Sequence, residues 1–287
     1  MDTGVILLTR GSPLALRQAE LSSALLSKKF PAASIETRIV TTTGDKQTDW
    51  SLEKAGGRGL FTSELEHILL SGKGDIAVHS AKDLPTEIKA GLTLAGCLPR
   101  ANPADILVRR EHIVTPAVIA TGSPRRQMQA SAVFPKARFV ELRGNVATRL
   151  QKIAQGVADA TFLAAAGLER LGITEQAGLV FEEWGPDKMV PAAGQGAIAW
   201  ETRIRDASDL GVFCDPATTY AVTVERAFLA ALGAGCHSAF AAHYTDDFVW
   251  LFHDHIGRRA FPFIAVPATD IPAYVAKILK QFFACEK

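Results

Sequence analysis

Two copies of a strand–Gly-Ser-Pro–helix junction constrain the fold of this chain more than any other feature. Apolar residues 5–9 precede Gly-Ser-Pro at 11–13, and apolar residues 118–121 precede the second copy at 122–124. Serine is a preferred N-cap and proline a preferred first helical residue, so each tripeptide predicts a helix starting just after a strand. Two such units predict two similar α/β lobes. Each lobe presents a helix N-terminus whose N–H groups attract anions.

Composition narrows the class of protein. The 287 residues are 48% hydrophobic and 21% charged with a net charge of +1, which is typical of a globular chain of two or three domains. The early apolar run ends at Arg10, so it predicts a strand and not a signal peptide. No run approaches the roughly 18 apolar residues of a membrane span. We therefore expect a soluble cytoplasmic protein.

The order of the predicted elements indicates three domains. Residues 191–196 (Pro-Ala-Ala-Gly-Gln-Gly) predict a crossing back to the first lobe, and residues 197–201 predict a strand added there. Predicted short strands after Pro216 and an amphipathic helix over 270–285 indicate a small α+β domain. The expected domains are lobe 1 (1–98 with 197–213), lobe 2 (99–196) and a C-terminal domain (214–287).

Residues 77–85 form the most polar strand end in the first lobe. A short buried strand is followed by His79, Ser80, Lys82 and Asp83, and Pro85 stops the turn. Ligands of open α/β sheets bind at this end of the strands. A loop in which Lys82 and Asp83 are either solvated or paired with each other explains the spacing equally well.

Residues 121–155 are strongly basic. They hold seven Lys or Arg and one acid, Glu141, although the whole chain is almost neutral. Arg125, Arg126 and Arg143 directly follow predicted strands, where they repel one another unless an anion joins them. The alternatives are a solvated helix face and a nucleic-acid surface, but the positive charge is confined to this segment of a chain whose net charge is only +1.

Two loops hold further candidates. Residues 54–61 are glycine-rich with Lys54 and end at Phe61, which indicates either a flexible connector or a mobile lid. Ser63-x-x-Glu66 then predicts a capping box. Cys236 lies among small residues, whereas Cys97, Cys214 and Cys285 lie in or beside apolar runs. The four cysteines lack CxxC spacing, so neither a metal site nor a disulfide framework is expected.

Six motifs in order resemble the porphobilinogen deaminase family, also called hydroxymethylbilane synthases. The resemblance spans residues 5 to about 238. The motifs are, in sequence, Phe61 after its glycine loop, His79-Ser80-x-Lys82-Asp83-x-Pro85, Ser123-x-Arg125-Arg126-Gln127, Leu142-Arg143-Gly144-Asn145-x-x-Thr148-Arg149, Ala166-Gly167-Leu168-x-Arg170-Leu171-Gly172 and Pro191-x-x-Gly194-Gln195-Gly196. The resemblance implies two periplasmic-binding-protein-like (type II) lobes with doubly wound mixed sheets, plus a small C-terminal α+β domain.

The resemblance also implies a reaction. The family joins four porphobilinogen molecules head to tail, releases ammonia and produces hydroxymethylbilane for tetrapyrrole and heme biosynthesis. A covalent dipyrromethane cofactor, held through a thioether, primes the chain; here the matching residue is Cys236. The implied partner is the small molecule porphobilinogen, with no nucleic acid and no membrane, and the protein is expected to be a monomer.

Site residues carry over by position. Asp83 matches the catalytic carboxylate, a general acid that stabilises the cationic intermediates. The positions that match the family's carboxylate-binding and cleft-lining residues are Arg10, Ser12, Lys54, Phe61, His79, Ser80, Lys82, Ser123, Arg125, Arg126, Arg143, Gly144, Asn145, Arg149, Arg170 and Gln195.

This chain departs from the family pattern at three places. Arg58 stands where lysine is usual, and Cys236 is followed by His237-Ser238-Ala239, where the family has proline at the third position. The C-terminal domain is short. A non-catalytic anion-binding protein or a degenerate homologue on the same fold is therefore the alternative hypothesis.

Overall fold

The structure is a computed structural model that describes residues 4–42, 62–233 and 239–284. The strands of these residues are β1 Val5–Arg10, β2 Ile35–Val40, β3 Ile76–Ser80, β4 Leu92–Cys97, β5 Asp105–Arg110, β6 Val118–Ala120, β7 Arg138–Val140, β8 Ala160–Ala164, β9 Leu179–Trp184, β10 Ile198–Arg203, β11 Ala241–Tyr244, β12 Phe248–His253 and β13 Gly257–Pro262. The α-helices are α1 Pro13–Lys29, α2 Ser63–Leu70, α3 Pro124–Val133, α4 Val146–Ala154, α5 Ala165–Arg170, α6 Ala207–Gly211, α7 Pro216–Ala231 and α8 Ile271–Ala284.

The chain divides into two compact units. Unit 1 comprises Met1–Arg100 and Ala197–Tyr220, and unit 2 comprises Ala101–Gly196 and Ala221–Lys287. The return of the chain at residue 197 agrees with the predicted crossing. The three-domain division itself stays a prediction.

Unit 1 is built on a five-stranded mixed sheet in the order β2-β1-β3-β10-β4. The first three strands are parallel, and β10 runs antiparallel to both β3 and β4. Leu7, Val78 and Trp200 pack on the side of α1, while Leu8 and Ala77 pack against α2. Both faces of the sheet are therefore covered, as parallel strands require.

Unit 2 repeats this arrangement in the order β7-β6-β8-β5-β9. Strands β6, β7 and β8 are parallel, and β5 is antiparallel to β8 and β9. Leu107, Phe162 and Trp184 form one side of its core. The two sheets confirm the predicted pair of doubly wound lobes.

A three-stranded antiparallel sheet, β11-β12-β13, completes unit 2. The interior includes Val249 and Leu251 from β12 and Phe282 from α8. The sequence predicts a strand over 262–266, and this prediction is wrong: the third strand is β13. Arg258 and Arg259 concealed it, because an edge strand tolerates charged residues that face solvent.

The structure differs from the sequence predictions at two further places, one a predicted feature that is absent and the other a strand that was missed. The predicted capping box is absent, because the N-cap is Thr62, without a side-chain cap bond, and Ser63 already lies inside α2. Strand β9 was not predicted, since Phe-Glu-Glu-Trp lacks a clean alternation. Within the described ranges, no helix has the length and apolarity needed to cross a bilayer.

Candidate functional site

The turn after β3 holds the predicted catalytic acid in unit 1. Residues Ala81–Asp83 form one 3-10 turn, whose first N–H donates to Ala197 O at 3.0 Å. The N–H of Leu84 donates back to Ala81 O at 3.3 Å. Asp83 is exposed and Lys82 is half-buried. The backbone therefore fixes the turn while the carboxylate of Asp83 faces solvent.

Ser80 is held from the opposite side by a residue that sequence reasoning missed. Gln18 of α1 donates from Nε2 to Ser80 Oγ at 2.8 Å, and Gln18 is only 2% exposed. The signal was available in the sequence, because Gln18 and Gln129 occupy the same position after each Gly-Ser-Pro. Gln129 is also buried, and it bonds both the N–H and the carbonyl of Val190.

His79, a predicted binding residue, lies inside the sheet. It is buried, and its Nε2 is 3.0 Å from Oε2 of the fully buried Glu201 on β10. This contact joins the two central strands of unit 1. Glu201 was not among the candidates, because a single acid in an apolar strand gives no local sign of its partner.

Arg10 and Ser12 lie at the same sheet edge as Asp83. Arg10 is the last residue of β1, which runs parallel to β3, so both strands end on this edge. Ser12 is the N-cap of α1 and accepts from Ala15 N at 3.3 Å. The first Gly-Ser-Pro junction therefore has the predicted structure.

The second junction has the same form in unit 2. Ser123 is the N-cap of α3, and its Oγ accepts from Arg126 N at 3.4 Å. Proline is again the first helical residue. The predicted repeat is confirmed at the level of both caps.

Arg125 and Arg126 are buried against one carboxylate, that of Asp105. Arg125 donates to Asp105 Oδ2 at 2.9 Å and to Oδ1 at 3.2 Å, and Arg126 Nε donates to Oδ1 at 2.8 Å. The two arginines are 5% and 8% exposed, and Asp105 is fully buried. Each guanidinium also donates to a backbone carbonyl, that of Val190 or Phe162. Asp105, absent from the sequence candidates, is therefore the anchor of this arginine pair.

The loop before α4 is held by its own polar groups. Asn145 caps α4 by accepting from Thr148 N at 2.9 Å, and Arg149 Nε donates to Gly144 O at 2.8 Å. Gly144 has φ +119°, where a side chain would meet Thr148. Arg143 is half-buried and pairs with Glu141 at 2.7 Å. Arg143 and Arg149 thus flank one rigid turn.

Arg170 and Gln195 are tied to the segment through which the chain leaves unit 2. Arg170 Nη2 donates to Gly196 O at 2.5 Å. Burial lowers the pKa of Arg170 below its usual value, and the carboxylate of Glu169 opposes this shift. Gln195, at 1% exposure, donates to Pro103 O at 2.7 Å.

Three predicted residues, Lys54, Phe61 and Cys236, lie outside the described residues. Two of the remaining cysteines, Cys97 and Cys214, are buried. Burial, with the adjacent charge of Asp215, raises the pKa of Cys214 to about 12. This thiol therefore stays protonated and unreactive at neutral pH.

The two units differ at equivalent turns. Ala81 N bonds Ala197 O in unit 1, and Ala165 N bonds Ala104 O in unit 2, both at 3.0 Å. Counting on from these alanines, Asp83 corresponds to Gly167. Unit 1 therefore carries an acid in a 3-10 turn, where unit 2 has a glycine within helix α5. Within residues 4–42, 62–233 and 239–284, no group of three His, Cys, Asp or Glu is arranged to bind a metal.

Sequence comparisons match this chain to one family of proteins. A model of the family described as "Porphobilinogen deaminase, dipyromethane cofactor binding domain" matches residues 5–210. The porphobilinogen deaminase of Syntrophus aciditrophicus is 42% identical over 82% of this chain and 78% of its own, and that of Roseiflexus sp. is 41% identical over 90% and 88%. Among solved structures, the BvgS VFT2 domain of Bordetella pertussis is 18% identical, covering 76% of this chain and 87% of its own, with a TM-score of 0.44.

Proposed function

Because the chain belongs to the porphobilinogen deaminase family, we propose that it condenses four porphobilinogen molecules into hydroxymethylbilane and releases ammonia. The observation that carries the proposal is the exposed carboxylate of Asp83 on a turn fixed by backbone bonds. A fixed acid that faces solvent can meet a substrate without first losing an internal partner.

Asp83 is proposed to act on the aminomethyl group of the substrate. Positive charge develops on the pyrrole as ammonia leaves, and a preorganised carboxylate stabilises that charge. The C–N bond breaks as ammonia leaves, a carbon of the next pyrrole forms the new C–C bond, and the same carboxylate accepts the proton that this carbon loses. Lys82, next to Asp83 and half-buried, is placed to hold a carboxylate of the same substrate.

The arginines of unit 2 are proposed to bind the acidic arms of the pyrrole chain. Each porphobilinogen carries an acetate and a propionate, so the growing product is a polyanion. Arg143 and Arg149 are half-buried beside a rigid turn, a geometry that suits direct contact with carboxylates. Arg125 and Arg126 carry more positive charge than Asp105 neutralises, so the cluster they form favours anions nearby.

The dipyrromethane cofactor implied by the family is chemically suited to these residues. Its carboxylates match the Lys and Arg side chains at the strand ends, and when bound it supplies the terminal pyrrole to which each new unit is added. We propose Cys236 as its attachment point, because the family resemblance places the cofactor cysteine at this position. Burial and a raised pKa make Cys214 a poor nucleophile by comparison.

We further infer a cytoplasmic monomer that does not bind nucleic acid. Arg125 and Arg126, the first two cations of the basic segment, are buried against Asp105 and cannot track a phosphate backbone. Light scattering on the purified protein tests whether it is a monomer. A salt-dependent mobility shift of labelled single-stranded DNA would contradict the inference that the protein does not bind nucleic acid.

Intact mass and turnover test the proposal together. The purified protein is expected to be heavier than its chain by two pyrrole units, on the peptide that contains Cys236, and to convert porphobilinogen in a colorimetric assay. Cys236→Ser is expected to lack the added mass and the activity, while Cys214→Ser retains both. An active enzyme with unmodified Cys236 would contradict the mechanism. Porphobilinogen binding without turnover would favour the anion-binding alternative.

A further inference from the structure

The register between β3 and β10 determines where Asp83 lies. Ser80 pairs with Ile198 and His79 with Ala199, and the ladder continues into the turn through the bond from Ala81 N to Ala197 O. A shift of β3 along β10 therefore moves the turn and its acid. The side chains that fix this register influence catalysis without touching substrate.

One polar contact marks this register. His79 Nε2 and Glu201 Oε2 are 3.0 Å apart, and their side chains are 5% and 0% exposed. The other residues of the two strands are apolar except Ser80, Thr202 and Arg203; the apolar ones are Ile76, Ala77, Val78, Ile198, Ala199 and Trp200. Apolar side chains pack in more than one register, whereas a buried hydrogen-bonded pair is satisfied in one.

The pairing of β10 with β4 is irregular next to Glu201. The register shifts between Trp200 and Glu201, where β4 has the extra residue Ala95. Such bulges re-aim side chains and occur next to active sites. Here the residue after the shift is the one that reaches His79.

The second carboxylate oxygen of Glu201, Oε1, carries an energetic cost. Oε1 is buried and has no hydrogen-bond partner among the described residues. An unsatisfied buried acceptor costs about 1–3 kcal/mol. Leucine at position 201 would remove that cost, but it would leave the buried Nε2 of His79 without this hydrogen-bond partner. The carboxylate at position 201 therefore has to be explained together with His79.

We propose that Glu201 is a positioning residue for the reaction, acting through His79 to hold the turn that presents Asp83. The proposal rests on the proposed function. In this proposal, the protonated Nε2 of His79 donates a hydrogen bond to Glu201. This bond sets the rotamer of His79 and the register between β3 and β10. Gln18 holds the same strand end from the other face through Ser80.

Three substitutions on β10 separate positioning from packing. Glu201→Leu is expected to lower kcat for porphobilinogen about tenfold or more, with KM within about twofold, because only the alignment of the reacting groups is lost. Glu201→Gln keeps an acceptor for His79 and is expected to stay within about threefold of wild-type kcat. Thr202→Val, a buried polar-to-apolar change on the same strand, leaves kcat unchanged.

A double-mutant cycle tests whether the effect passes through His79. In a His79→Leu background, Glu201→Leu is expected to lower kcat no further, because the contact is already broken. Independent, multiplying losses would overturn the proposal, and so would wild-type kcat in Glu201→Leu. If Glu201→Leu does not fold, His79→Gln provides the test, because glutamine keeps a donor at the Nε2 position. A kcat near that of wild type supports the positioning role, and a kcat as low as that of His79→Leu overturns it.

A measurement without substrate keeps this proposal apart from the proposed function. Nitrogen-15 NMR of ring-labelled histidine is expected to show His79 with a proton on Nε2, and Glu201→Leu is expected to change that signal. If the wild-type spectrum lacks the signal of a protonated Nε2 on His79, the proposed hydrogen bond from His79 to Glu201 is refuted. Failure of wild type to consume porphobilinogen, with the signal present, would instead refute the proposed function.

Discussion

The carboxylate of Asp105 accepts from Arg126 Nε at 2.8 Å at a fully buried position on β5. Arg125 shares the same carboxylate. The arginines that sequence reasoning assigned to substrate are therefore also part of the interior of unit 2. Their orientation is set before any ligand arrives.

Asp105→Asn is expected to destabilise the protein by about 3–5 kcal/mol, because it removes the buried negative charge that both guanidiniums contact. Urea unfolding measures this loss. Glu175→Gln, at an exposed acid, is the control and is expected to stay within about 0.5 kcal/mol of wild type. Equal stability of the two variants would contradict a structural role for Asp105.

Asp83→Asn is expected to keep the fold and lower kcat about 100-fold or more, since it removes the charge of an exposed side chain and the proton it transfers. Steady-state kinetics and thermal unfolding measured on the same sample check both halves. Glu87→Gln, an exposed acid on the same loop, serves as the control. Near-normal turnover in Asp83→Asn would refute its assigned role.

Asp159 gives a pH-dependent contribution to stability. Burial alone would raise its pKa, but bonds from Arg110 and from the N–H groups of Val118 and Ala117 hold the pKa of Asp159 below its ordinary value. A folded-state pKa below the unfolded one gives stability that is complete above the unfolded pKa and lost as pH falls through the folded pKa. Asp159→Asn is thus expected to be less stable than wild type at pH 7, and this difference should shrink below about pH 4. Chemical unfolding at pH 7, 4 and 3 measures it; a constant difference would argue against the linkage.

Cysteine labelling is expected to divide the thiols by burial. Iodoacetamide at pH 8 should leave Cys97 and Cys214 unmodified in the native protein, because both are buried and the pKa of Cys214 is raised to about 12. Denaturation should expose both to reaction. Peptide mass spectrometry reads out each site, and rapid native labelling of Cys214 would show that its environment opens.

The sequence predicted what depends on local chemistry. Ser12 and Ser123 cap their helices as expected, since an N-cap is decided within four residues. The partners Gln18, Asp105 and Glu201 were missed, because each meets its partner across the sheet or from another element. The sequence predicts an arginine cluster at Arg125 and Arg126, but it gives no sign that Asp105, 20 residues before Arg125, lies against them.

The corresponding strand ends of the two units show that a duplicated fold does not determine which unit carries the catalytic acid. Local chemistry predicts both lobes, and the same backbone bond holds Ala81 and Ala165. The segments that follow differ: Ala81–Asp83 is a 3-10 turn that carries Asp83, whereas Ala165 begins helix α5, which has Gly167 at the corresponding position. Repetition of the scaffold therefore predicts where a site can form, while single residues decide which lobe has the acid.

The late position of β10 in the chain has a consequence for biosynthesis. On the ribosome, β3 and β4 emerge about 100 residues before Ile198–Arg203, the strand that separates them. Until then the edge of Ile76–Ser80 is an unpaired, mostly apolar template to which other nascent strands can add. Chaperone capture of translation intermediates should accordingly end once residue 203 has left the exit tunnel.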